Sequence, residues 1–100
     1  AGVEGQFLSK LEEYLFNLNS YGDDAIKGKG APMEHLAGEA PLCSMRFPFT
    51  SSNVRILFVY QEGHLYLLAA FYERAGKKKT SYSAHTPIAR QRLEELLKER

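Results

Sequence analysis

One hundred residues set the scale of a single domain spanning residues 1–100, large enough to bury a modest core. With 44% hydrophobic and 25% charged residues, the composition is that of an ordinary soluble globular protein. No apolar run approaches the ~20 residues of a membrane helix, and no basic start followed by an apolar stretch marks a secretory signal, so a cytoplasmic location is expected.

The formal net charge of +1 hides an asymmetry. Residues 1–50 carry four Lys/Arg against seven Asp/Glu, whereas residues 51–100 carry nine against five. The C-terminal half is therefore the half expected to meet an anion. Six of its cations fall within Arg74–Arg92, directly after the most apolar stretch, Val54–Tyr72. The chain starts on Ala1 rather than Met, as expected of a processed or trimmed N-terminus.

In chain order, Val3, Phe7, Leu8, Leu11, Tyr14, Leu15 and Leu18 recur at helical spacing and predict an amphipathic helix over residues 3–18. Asn17, Asn19, Ser20 and Gly22 are expected to end it. A second short helix at Asp23–Lys29 is weakened by Gly28 and Gly30. Gly30–Gly38 reads as a loop, with one turn around Met33–Leu36.

Three strands are predicted next: Leu42–Phe49, which Pro48 either ends or places at an edge, then Val54–Gln61 and Leu65–Tyr72. Glu62-Gly63-His64 is a short turn that makes the last two a hairpin. The last element is a helix with Thr86 as N-cap, Pro87 at its first position and an apolar stripe of Ala89, Leu93, Leu96 and Leu97. The expected fold is α+β: an N-terminal helix or helix pair, a three-stranded antiparallel meander and a C-terminal helix.

The cations associated with the sheet are Arg46, Arg55, Arg74, Lys77, Lys78 and Lys79. Alternation sends the Arg55 side chain to the face opposite Val54, Ile56 and Tyr60, where it either meets a phosphate or sits solvated on an open sheet face. Tyr72 and Tyr82 flank the lysine run, and each could stack on a base or pack on the last helix. Tyr14 belongs to the helix stripe and reads as core. Cys43 is the only cysteine; with Met45 it points to one face of a strand, and it reads as a buried thiol with no His near it. His35 falls in a loop, His64 in the hairpin turn and His85 just before the last helix. Their spacing gives no metal site, and no cofactor is expected. His85, which follows the basic loop, is the histidine best placed for catalysis.

An ordered set of short motifs runs over residues 30–93. It reads Gly30-Ala31-Pro32, Leu36-Ala37-Gly38, Leu42-Cys43-Ser44-Met45-Arg46, Val54-Arg55-Ile56-Leu57, Gly63, Leu67-Leu68-Ala69-Ala70-Phe71, Lys77-Lys78-Lys79-Thr80 and Ala89-Arg90-Gln91-Arg92. In order and spacing this resembles the RelE/ParE toxin superfamily, in particular its HigB-like, phage-derived branch. Ser44 stands where that family often has Glu, and Glu73-Arg74 where it often has two lysines. Ala1-Gly2 leaves no room for the β-strand that many members place before the first helix.

The resemblance implies the toxin of a toxin–antitoxin pair, partnered by a small helix-turn-helix antitoxin and cutting mRNA in the ribosomal A site. Such cleavage uses the ribose 2′-hydroxyl against the adjacent phosphate and leaves a cyclic phosphate, without a metal. On that basis Arg55 and Arg74 would stabilise the phosphate, His85 or Tyr72 would stack or move protons, and Arg46, Tyr72 and Lys77, Lys78 and Lys79 would hold the RNA. A non-catalytic RNA-binding module and a ParE-type inhibitor of DNA gyrase are the alternatives.

Overall fold

The computed structural model describes residues 3–27, 31–48, 53–73 and 82–99. A first helix, α1 (Val3–Tyr21), leads through a 3-10 turn at Gly22–Ala25 into four strands: β1 (Met33–His35), β2 (Cys43–Pro48), β3 (Asn53–Gln61) and β4 (His64–Glu73). A second helix, α2 (Thr86–Lys98), closes the chain. The strands form one antiparallel meander in the order β1-β2-β3-β4. The architecture is α+β, with one strand more than the three expected.

The extra strand is β1, in the segment read as a loop. Three residues are too few to display a period of two, and only pairing with β2 makes them a strand. Met33 lies opposite Met45, Glu34 opposite Ser44 and His35 opposite Cys43. The outer side of β1 is covered by a bridge to Lys27, whose N–H donates to the Met33 carbonyl and whose carbonyl accepts from the His35 N–H.

The helix α1 runs to Tyr21, past Asn17 and Asn19, because its stop signal is Gly22. That residue takes φ of +60°, the left-handed conformation that closes a helix and that glycine adopts without a Cβ clash. Glu62 (φ 52°) and Gly63 (φ 78°) form the β3–β4 turn, a two-residue type I′ geometry that matches strand twist. His64 is therefore not in the turn; it begins β4, opposite Gln61.

At α2 the cap is His85 rather than Thr86. The His85 carbonyl accepts the first helical bond, from the Ala89 N–H, which puts buried Thr86 at the first helical position and Pro87 at the second.

The two helices cover opposite faces of the sheet. Tyr14 and Leu18 of α1 pack with Ile26, Met33, Cys43, Met45, Phe47, Ile56 and Phe58. Ala89 and Leu93 of α2 pack with Leu36, Leu42, Leu57, Val59 and Leu68. Adjacent residues of β3 thus enter different cores, as the period of two requires. Cys43 and Met45 share the α1 face, as expected, with 2% and 0% of their surface exposed.

A bulge perturbs β4. Leu57 faces Ala69 and Phe58 faces Leu67, leaving Leu68 as the extra residue. Leu68 turns into the α2 core, and its carbonyl accepts a 2.7 Å bond from Nη1 of Arg92. Among the described residues no helix is long and apolar enough to cross a membrane.

Candidate functional site

Polar side chains from four parts of the chain meet on the α2 face of the sheet. Strand pairing places Glu34 opposite Ser44 and Arg55 opposite both Arg46 and Phe71, and Tyr82 comes in from the turn before α2. Nη1 of Arg55 donates to Oγ of Ser44 at 3.0 Å and lies 3.4 Å from Oε1 of Glu34. The Tyr82 hydroxyl stands 3.3 Å from Oγ of Ser44 and donates to Oε1 of Glu34 at 3.1 Å.

Donor chemistry fixes the direction of this chain of bonds. A guanidinium can only donate and a carboxylate can only accept, so protons point from Arg55 to Ser44, from Ser44 to Tyr82 and from Tyr82 to Glu34. Each hydroxyl both accepts and donates, which accounts for a serine with 0% exposure in the middle of a sheet.

The cluster is half enclosed. Side-chain exposure is 11% for Arg55 and 12% for Glu34, which rules out the solvated open-face reading of Arg55: α2 and the turn at Tyr82 cover that face. Burial pushes the Tyr82 hydroxyl above its ordinary pKa, against the lowering effects of its Ser44 hydrogen bond and the Arg55 charge.

Phe71, the cross-strand neighbour of Arg55, carries the link to His85. The His85 ring stacks on Phe71 at 3.9 Å between centroids and within 3° of parallel, and Tyr82 meets the same ring edge-on at 6.0 Å. Arg46 lies across the β2–β3 pair from Arg55, half-buried, with its Nε buried and unpaired among the described residues. Its backbone carbonyl accepts the Tyr14 hydroxyl from the other face, where burial pushes Tyr14 up to about 12.

Of the residues expected at a site, Arg46, Arg55 and His85 therefore come together. Tyr72 does not join them. It pairs with Val54, so it projects to the α1 face, 76% exposed. Arg74, Lys77, Lys78 and Lys79 lie outside the described residues.

Glu34 and Ser44 are the additions that sequence reading missed. The signal for Glu34 was a lone acid in an apolar Met33–Leu36 stretch, legible only once β1 is known to be a strand. A second correction concerns Cys43. The β1–β2 register brings His35 opposite it, with Nδ1 at 3.3 Å from Sγ, so a histidine does stand near the thiol. Burial nevertheless pushes the Cys43 thiol up to about 11, which suits an inert side chain.

What the arrangement offers chemically is one cation, one carboxylate and two groups able to hold or pass a proton, Tyr82 and His85, beside a second half-buried arginine. In comparisons with known proteins, no family model, no curated protein and no solved structure matches the chain.

Proposed function

We propose that the chain acts on RNA as the toxin of a toxin–antitoxin pair, a ribosome-dependent endoribonuclease that blocks translation. The observation that carries the reading is the convergence of Arg55, Glu34, Tyr82 and the Phe71–His85 stack on one face of the sheet. The Lys77–Lys79 run stands just before Tyr82 in the sequence, and a phosphate backbone calls for such clustered positive charge.

Cleavage would start with the ribose 2′-oxygen attacking the adjacent phosphorus, its proton passing to a base. The bond from phosphorus to the 5′-oxygen breaks, that oxygen takes a proton, and the upstream strand keeps a cyclic phosphate. Arg55 and Arg74 would stabilise the extra negative charge on the phosphorane, and His85 would serve one of the proton transfers. Arg46 and Lys77, Lys78 and Lys79 would grip the backbone, and exposed Tyr72 would stack on a base that reaches the other face of the sheet. A helix-turn-helix antitoxin, the ribosome and mRNA are the proposed partners, and no metal enters the step.

A second reading, binding of RNA without cleavage, draws on a specific feature: Arg55 already has a carboxylate beside it. The test is incubation with translating ribosomes and an end-labelled message. The expected product carries a cyclic phosphate, and Arg55→Gln and His85→Ala each cut the rate by about 10²-fold while remaining folded. RNA binding with no cut strand would favour the binding module. An induced DNA-damage response without a translation block would turn the reading toward gyrase.

A further inference from the structure

We propose that the outer edge of β4 is a docking surface for a second copy of the chain, whose own β4 pairs antiparallel with it and joins the two sheets about a two-fold axis. Such pairing holds whether or not the chain acts on RNA.

A sheet edge offers a row of backbone donors and acceptors to any extended strand, and proteins blunt it by shortness, cover, charge or proline. The β1 edge is blunted twice: it is three residues long, and Lys27 bridges its outer side. β4 ends the sheet on the other side, and its ten residues, His64–Glu73, make it the longest of the four strands. From Leu65 to Tyr72 it holds no formal charge, glycine or proline. Leu67 is 46% exposed and Tyr72 76%, large side chains left uncovered on the α1 face.

The Leu68 bulge makes this edge self-complementary. Residues three apart on a regular strand face opposite ways. Here Leu67 and Ala70 both lie on the α1 face, opposite Phe58 and Ile56. Leu65 and Tyr72, opposite Tyr60 and Val54, share that face. These four positions are symmetric about the Leu68–Ala69 bond. A two-fold axis there sets Leu67 opposite Ala70 of the copy, large against small, and Leu65 opposite Tyr72 of the copy. At the ends, His64 falls opposite Glu73 of the copy, the one formally charged residue of the strand, so no like charges are opposed. This symmetry favours a second copy over an unrelated strand, which would need none of it. The register is also fixed in advance. Leu68 is buried in the α2 core, and Arg92 holds its carbonyl at 2.7 Å, so the bulge is in place before any partner arrives.

The size of the edge sets the strength. Ten residues span about 33 Å and one sheet is about 10 Å deep, which offers on the order of 330 Å² per protomer. A standard interface covers about 800 Å² per partner, so the pair is weak and reversible, with Kd expected at about 10–100 μM.

Sedimentation velocity of the full chain, run from about 5 to 500 μM, should show monomer passing to dimer and no further, since the β1 edge is closed. Leu67→Lys sets an ammonium against Ala70 of the copy and should weaken the dimer at least about tenfold, with the thermal melt of the monomer unchanged. Adding Ala70→Glu to the same chain should restore it to within about threefold, because the register brings the two introduced charges together. The register has its own test. When the Leu67→Cys and Ala70→Cys proteins are mixed and oxidised, the mixed disulfide dimer should exceed either homodimer, since a bridge needs Cα atoms within about 7 Å. Cys43, 2% exposed, does not compete.

A chain that stays monomeric throughout overturns the proposal and leaves the edge to a partner of different sequence. So does a dimer that Leu67→Lys leaves intact, an assembly larger than a dimer, or an excess of the homodimer disulfides. If Leu67→Lys does not fold, the cysteine mixture decides. None of these outcomes bears on the RNA reading, which the cleavage assay tests separately.

Discussion

Tyr82 is the residue on which the polar cluster turns, because its hydroxyl reaches both Ser44 and the Glu34 carboxylate. Tyr82→Phe keeps the ring against Phe71 but strips the bond to the carboxylate and the acceptor for Ser44. Urea unfolding should show a loss of about 1–2 kcal/mol; no change would mean that water replaces the hydroxyl at no cost.

Cys43 and Tyr14 make a different statement at the same scale. Burial raises the thiol from 9.0 to about 11 and the phenol from 10.0 to about 12, so both stay protonated in the fold after they would ionise in the unfolded chain. Above the lower value of each pair the unfolded state binds fewer protons, and stability falls as pH rises. Their contribution should be whole below about pH 9 and decline from there to pH 11 for Cys43, and between pH 10 and 12 for Tyr14. Denaturant midpoints read across that range test it, with Cys43→Ala removing the earlier part of the slope. Alkylation of Cys43 at pH 8 should likewise be slow until the protein is unfolded.

Among the elements, the β3–β4 hairpin has the most demanding backbone. Both of its turn residues are left-handed, and only one is glycine. Nothing lies within 4 Å of a Cβ built on Gly63, so Gly63→Ala is a pure conformational penalty of about 1 kcal/mol. Glu62→Asn should act in the other direction, stabilising by about 0.5 kcal/mol, because asparagine tolerates this conformation better. Thermal melts of the two variants moving the same way would show that the turn is not the type assigned.

This hairpin was legible in the sequence as two apolar runs around a glycine. β1 was not, since a three-residue strand carries no pattern of its own and exists through its partners on both sides. The cap of α2 was misplaced by one residue for a related reason. Thr86 has the usual capping chemistry, yet its side chain is buried, and the chain enters the helix through the Tyr82–His85 turn instead.

At the scale of the molecule, the sheet is shared by two cores, so neither helix can leave without exposing one of its faces. Phe58 serves the α1 side and Leu57 the α2 side, each with 0% exposure. Phe58→Ala should cost about 3–5 kcal/mol and Leu57→Ala about 2–5 kcal/mol. In both variants, transitions followed by far-UV dichroism and by tyrosine fluorescence should still coincide. Separate transitions for the two probes would mean that the faces unfold independently.

The sequence by itself determined the order of the two helices and the three longer strands, the inward stripe of α1, the hairpin and the opposition of Arg55 to Ile56, since these depend on periodicity and turn chemistry within a few residues. It also carried the charge asymmetry and the ordered motifs behind the RNA reading. Only the tertiary structure decided what Arg55 touches. Glu34 and Tyr82 are 48 positions apart, and they meet at one carboxylate oxygen because strand register, the Leu68 bulge and the docking of α2 bring them there. Register sends Tyr72 to the other face by the same rule, one residue from Phe71. Periodicity names the face of a side chain; its neighbours across the sheet are set by long-range pairing, which leaves no local mark on the chain.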